Sequence, residues 1–208
     1  DLMIGSSRWS DSAALARSVE AAGLSGMVFT ETGQTPWLNI AAAAVAAPSL
    51  TYSTGIAVAF GMSPMVASSL AWELADNTEG RFRLGLGSQV RAHIERRYGA
   101  EFDQPVDRMH DYLLAVKAAL AAFRGDADLQ HQGRYYNLSL LPDQWRPLSH
   151  GHGDIKVDVS AVGPAMTKMA GAVADGIHVH PVHSVNYLNT RLLPAVAEGA
   201  RTVGRDPS

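Results

Sequence analysis

Along this chain a short apolar run is repeatedly followed by a longer stretch of helical periodicity. That alternation constrains the fold most, because a strand that returns to its sheet through a helix lies parallel to its predecessor. The apolar runs are Leu2–Gly5, Gly26–Glu31, LTYSTGIAVAF at 50–60, Arg81–Gly87, IKVDVSAVG at 155–163 and DGIHVHP at 175–181. After the first, Ser10 or Asp11 can cap a helix with the stripe Leu15, Val19 and Ala22, ended by Gly23. Alanines predict a helix over Asn39–Ala47, stopped by Pro48. Ser63-Pro64 opens another, with Val66, Leu70 and Leu74 as its buried face and Gly80 as its end. Met109, Leu113, Val116, Leu120 and Phe123 form one face of a long helix. Residues 124–153 are rich in turn formers and carry HQGRYYNL, a predicted surface hairpin inserted into a single domain spanning 1–208. Pro164 opens the helix after the fifth run, and a last helical stretch from Ser184 to Val203 is interrupted at Pro194.

The alternation admits a doubly wound parallel sheet or a barrel. A complete (β/α)8 barrel takes roughly 250 residues; this chain has 208 and supplies six β/α units. Hydrophobic residues are 47% and charged residues 18%, the composition of a globular core. A net charge of −3 does not suit a nucleic-acid surface. The absence of cysteine removes disulfides, thiolate nucleophiles and cysteine metal sites, and fits a reducing cytoplasm. No apolar run reaches the length of a membrane span. The chain begins inside an apolar run without the shape of a signal peptide, so residues are expected to precede it.

Three strand ends carry small residues where the strand meets its loop: Thr54-Gly55-Ile56, Gly85-Leu86-Gly87-Ser88-Gln89 and Ser160-Ala161-Val162-Gly163-Pro164. Ligands of α/β proteins bind at the carboxyl ends of strands, and glycine there admits a flat ring or a phosphate to the backbone. Taken singly, each glycine fits a tight βα turn equally well. The dinucleotide fingerprint fails, because position 90 is valine where a third glycine would stand. The P-loop, HExxH and GxSxG patterns are absent.

The stretch GRFRLGLGSQVRAHIERRYG resembles the fourth-strand motif of the luciferase-like monooxygenase superfamily, in particular its branch using the deazaflavin coenzyme F420. NTEGRFRLGLG has the family's cadence, HQGRYYNL resembles its hairpin, and SAVGPAMTKMAGAVADG resembles its phosphate-side turn and helix. The resemblance covers essentially the whole chain. It implies a TIM-type (β/α)8 barrel of the luciferase-like kind, here with its first six units. Units seven and eight are then absent, and truncation at the C-terminus is the expectation, because an incomplete barrel exposes two sheet edges. The implied activity is hydride transfer to or from a small organic substrate by coenzyme F420. An FMN-dependent monooxygenase and a non-catalytic flavin-binding barrel are the alternatives. Relatives are often homodimers.

The resemblance also implies a site. It places a non-prolyl cis peptide at Gly55–Ile56 beneath the cofactor ring, where the residues alone allow a plain β-bulge. Gly87, Ser88 and Gln89 would line the cofactor. Arg91, with Arg96 or Arg97, would face an anionic tail, although Arg91 and Glu95 are spaced for a solvated helical pair. Ala161, Val162 and Gly163 would offer backbone N–H groups to a phosphate at a helix start. Glu31 and Trp37 match the acidic residue and tryptophan of F420-dependent relatives, while Thr32 stands where a histidine would be. Read without the resemblance, Glu31 is a cap or ion-pair partner and Trp37 a core-edge aromatic. On the last strand His178 and His180 are spaced to share a face, and His180, nearer the carboxyl end, is the expected proton donor or substrate contact. His150 and His152 in HGHG read as a solvated loop rather than a metal site, and no metal is expected.

Overall fold

A computed structural model describes residues 1–5 and 7–206. In chain order the elements are β1 (Leu2–Ile4), α1 (Trp9–Ala21), β2 (Gly26–Phe29), α2 (Pro36–Ala46), β3 (Thr51–Thr54), β4 (Ala57–Val58), α3 (Pro64–Asn77) and β5 (Phe82–Gly87). There follow α4 (Arg91–Arg96), α5 (Pro105–Arg124), β6 (His131–Gln132), β7 (Asn137–Leu138), β8 (Lys156–Ser160), α6 (Pro164–Val173) and β9 (Gly176–His178). The last segment runs from α7 (Val185–Tyr187) through a π-helical stretch at Leu188–Leu192 into α8 (Leu193–Thr202). The main sheet has the order β1-β2-β3-β5-β8-β9, every pair parallel, with β4 beside β5. β3 and β4 are the two halves of the expected third strand. The pair β6–β7 is the expected hairpin. Among the described residues no helix is long and apolar enough to cross a membrane.

Successive side chains of a strand point to opposite faces, and this sheet divides its residues accordingly. Met27, Phe29, Tyr52, Phe82, Leu84, Leu86, Val157 and Val159 are buried in the core with Ile40, Met109, Leu113 and Val116 of the helices. The intervening positions are Val28, Ser53, Gly55, Arg83, Gly85, Asp158, Gly176 and His178. The register sets Gly85 beside Asp158 and Asp158 beside Gly176. One face therefore meets helices, and the other is small and polar. On that face Arg83 grips Asp158 with two bonds, Nε to Oδ2 at 2.9 Å and Nη2 to Oδ1 at 2.6 Å.

Several helices differ in detail from the sequence expectation. Helix α1 starts at Trp9 with no side-chain cap, and buries Ser12, Ala16 and Val19. Leu15 is half-buried and Ala22 exposed. Ser12 faces inward because its hydroxyl donates to Asn39 Oδ1 of α2 at 2.7 Å. Helix α2 opens at Pro36, whose fixed φ suits the first helical turn. In α3 the Ser63 hydroxyl accepts from the Val66 N–H as expected, but the bulk of Trp72 sets the buried face as Ala67, Ala71, Trp72, Leu74 and Ala75, leaving Val66 exposed. The strand ends are also shorter: β2 stops at Phe29 and β9 at His178.

The hairpin is tied to α5 by Asp111, which accepts from the Tyr135 N–H at 2.6 Å and the Tyr136 N–H at 3.1 Å and pairs with His131 Nε2 at 2.7 Å. Helices α6 and α8 touch backbone to backbone. A Cβ on Gly199 would stand 1.8 Å from the Lys168 carbonyl oxygen, and one on Gly171 2.1 Å from that of Val196. Gly199→Ala must therefore push the helices apart, at a cost of roughly 1–3 kcal/mol. Gly151→Ala, with nothing near its Cβ, should stay within about 0.5 kcal/mol of the parent. Urea denaturation of the two variants checks the contrast.

Candidate functional site

Glu31 lies two residues beyond β2 and is 8% exposed. Its backbone N–H donates to the Ile56 carbonyl at 3.3 Å. Its carboxylate takes the Val58 N–H on Oε2 at 2.7 Å and the Tyr98 hydroxyl on Oε1 at 2.9 Å. One side chain thus ties the exit of β2 to β4 and to the segment after α4. Tyr98 is a residue that spacing did not single out. Its ring lies where Gly61 leaves room, since a Cβ there would come within 2.6 Å of it. Burial first, then the bond to Glu31, pushes the Tyr98 phenol up from its ordinary value.

The Gly55–Ile56 bond is cis, and the bulge is present as well. From Ser53 to Ala57 the strand takes four steps while β5, from Arg83 to Leu86, takes three. Where the ladder misses its step, the Thr54 hydroxyl donates to the Gly85 carbonyl at 2.7 Å and accepts the Gly85 N–H at 2.9 Å.

The glycines of this region are filled from within the protein. A Cβ on Gly55 would meet Val28 Cγ1 at 2.2 Å, and one on Gly87 would meet Ile56 Cδ1 at 2.8 Å. A Cβ on Gly85 would stand 2.0 Å from the Thr54 carbonyl oxygen and 2.4 Å from His178 Nε2. The bare backbone of RLGLG therefore makes room first for the protein's own Ile56 and His178. Gly163 is different: no atom lies within 4 Å of its Cβ position, and it caps α6, whose first-turn N–H groups have no helical acceptor. Beside it Ala161 is buried, and the carbonyl of half-exposed Val162 accepts from the Tyr187 hydroxyl at 2.9 Å.

The other expected residues divide. Ser88 donates to the Gln89 carbonyl at 3.3 Å, and Gln89 Oε1 accepts the Val90 N–H at 3.0 Å. Gln89 holds a left-handed φ of 57°, which turns the chain out of β5. Arg91 forms the helical pair with Glu95 at 2.7 Å and lies over the Phe102 ring at 5.1 Å. Trp37 is 6% exposed between α2 and α3, its indole N–H without a partner, and takes the core-edge place. His180 is exposed in the turn after β9, its Nδ1 accepting the Val182 N–H at 3.3 Å. His178 is the histidine turned into the polar face. The strand ends before His180, so the two share no face. Glu31, Gly55, Ile56 and Gly87 come together, with Ser88 and Gln89 following on the loop. Ala161–Gly163 stand on the next βα loop in the chain, between β8 and α6, and Trp37, Arg91 and His180 lie outside this group.

A profile of the luciferase-like monooxygenase family matches residues 2–208. The chain belongs to that family. An uncharacterized protein from Mycobacterium tuberculosis is 35% identical over 200 residues, covering 93% of this chain and 59% of the relative. The 5,10-methylenetetrahydromethanopterin reductase of Methanolobus tindarius is 24% identical over 159 residues, covering 76% of this chain and 45% of that protein. An F420-dependent secondary alcohol dehydrogenase, solved with an F420–acetone adduct, superposes with a TM-score of 0.82 at 20% identity, covering 99% of this chain and 64% of that one. The oxygenating constituent of a 3,6-diketocamphane monooxygenase from Pseudomonas putida, solved with FMN, gives 0.76 at 17% identity, covering 100% and 63%. The chain therefore spans less than two thirds of each of these proteins. Its fold is six β/α units of the luciferase-like TIM-type barrel, so its polar face is the barrel interior.

Tyr98→Phe leaves one oxygen of a buried carboxyl without a donor, and should cost about 1.5–3 kcal/mol in urea denaturation. Glu31→Ala should cost at least as much, and the double variant less than the sum. Burial holds the His178 imidazole below its ordinary 6.5, against the pull of Asp158. The unfolded chain then binds this proton more readily than the folded one, so stability present above pH 6.5 is lost as pH falls toward the folded value. The urea midpoint should drop between pH 7.5 and pH 5, and drop less in His178→Gln.

Proposed function

We propose that this chain forms the cofactor-holding part of an oxidoreductase that uses the deazaflavin coenzyme F420 for hydride transfer to or from a small organic substrate. The open backbone of Gly163 at the start of α6 carries the proposal. It leaves first-turn N–H groups and the positive end of the helix dipole available to an anion, as a phosphate-bearing cofactor requires. The ends of β2, β4 and β5 fit the rest of such a group. Ile56, packed over Gly87, offers an apolar floor, and the Glu31 clamp holds that floor to β2 and Tyr98. The family membership and the F420-dependent relatives support the same reading.

In this reading the bound deazaflavin supplies the hydride chemistry. Ala161–Gly163 and the first turn of α6 hold its anionic tail, and Gly55, Ile56 and Gly87 set the plane on which its ring rests. Ser88 and Gln89 shape the loop beside it. Glu31 is a positioning residue, because both of its oxygens are already engaged. The FMN-dependent monooxygenase is the second reading, favoured by the fold shared with an FMN-containing monooxygenase.

Fluorescence titration with F420 and, separately, with FMN tests the proposal. Saturable F420 binding is expected, weakened at least tenfold in Gly163→Glu, which puts a negative charge where the tail should lie. Binding of FMN alone would replace this reading with the monooxygenase. Binding of neither would remove the cofactor role, and an unchanged F420 affinity in Gly163→Glu would remove the α6 site.

A further inference from the structure

His178 is the ionisable interior side chain for which neither the clamp nor the cofactor floor has a use. Its ring lies between two glycines of neighbouring strands. Nε2 points to Gly85 and is sealed and without a hydrogen-bond partner, with Asp158 Oδ2 4.0 Å away. Nδ1 is the edge turned to Gly55, 3.6 Å from where a Cβ would stand. Asp158 is held 4.0 Å from the ring by Arg83, which bonds both of its oxygens. The charged groups facing the ring are Asp158 on β8 and Arg83 on β5; Val28 on β2, Gly55 between β3 and β4, and Gly85 on β5 carry none.

We propose that His178 is the proton acceptor of this site, in place of Glu31 or His180. The inference rests on the cofactor reading above, since it needs a group bound beside the His178 ring. The proton of a bound O–H or ring N–H passes to Nδ1, the imidazole becomes imidazolium, and the bound group is left as its anion. No other bond changes and no electrons leave the pair. Nε2 is sealed while the side chain as a whole keeps 21% exposure, so Nδ1 is the ring nitrogen left to meet a ligand. Glu31 is excluded by its two engaged oxygens, and His180 by its place in the exposed turn.

The test follows the imidazole directly. Long-range proton–nitrogen spectra of the full-length protein are recorded from pH 5 to pH 8, with and without saturating F420, and the His178 signals are assigned from His178→Gln. The expected result is an upward shift of the His178 midpoint by at least about one pH unit in the complex. By linkage that unit is a tenfold tightening of F420 binding as pH falls across the titration. The tenfold change should vanish in His178→Gln, which should still bind F420 at pH 8. F420 binding with an unmoved His178 midpoint would overturn the proton acceptor and leave the cofactor reading intact. Absence of F420 binding in the folded parent protein would overturn both.

Discussion

Between Ser53 and Ala57 the third strand runs one residue longer than its neighbour from Arg83 to Leu86. An unmatched residue in a buried ladder leaves an N–H and a carbonyl without their usual partners, and buried backbone groups rarely stay so. The chain answers with side chains. Thr54 returns both bonds to the Gly85 peptide, and Glu31 takes the Val58 N–H on the far side of the break. The second oxygen of Glu31 is then free to receive Tyr98, and the segment after α4 is drawn over the end of the sheet. A one-residue surplus in β3–β4 thus sets the position of Glu31, the exit of β2 and the ring of Tyr98.

The same break explains the glycines. A strand that bulges toward the barrel interior brings its side chains into space that its neighbours must vacate. Ile56 enters the place of a Cβ at Gly87, and His178 the place of one at Gly85. Substitution at Gly87 would collide with the Ile56 side chain, and at Gly85 with the His178 ring and the Thr54 carbonyl, which as backbone cannot give way. A Gly-rich strand end therefore reports close packing within the sheet, and among Gly55, Gly85, Gly87 and Gly163 the last alone has no neighbouring element at its Cβ position.

Much of this architecture was legible in the residues. The alternation of apolar runs and helical stretches located every strand of the main sheet, and the resemblance located the cis bond and the bulge region together. Helix faces were read less well where a polar residue found a buried partner, as Ser12 did in Asn39, or where one large ring set the phase, as Trp72 did in α3. Tyr98 could not be found by spacing, because its partner is 67 residues away and only the fold joins them. The run DGIHVHP predicts a strand that reaches Pro181 and so favours His180 over His178. The strand ends at His178, and the alternation that would align the two histidines ends with it.

The interior also decides what charge the site can accept. Arg83 and Asp158 together are neutral, and their two bonds hold the carboxylate 4.0 Å from His178 Nε2, beyond hydrogen-bond reach. An imidazole that stays uncharged adds nothing to that pair, whereas a protonated one makes the cluster of three positive by one unit. In a partly desolvated interior a net charge is costly unless a counter-charge accompanies it. Proton acceptance by His178 is therefore favourable only when the group that gives up the proton remains beside it as an anion. The ion pair below the ring thus biases this interior toward ligands that carry an acidic proton, and it does so without touching them.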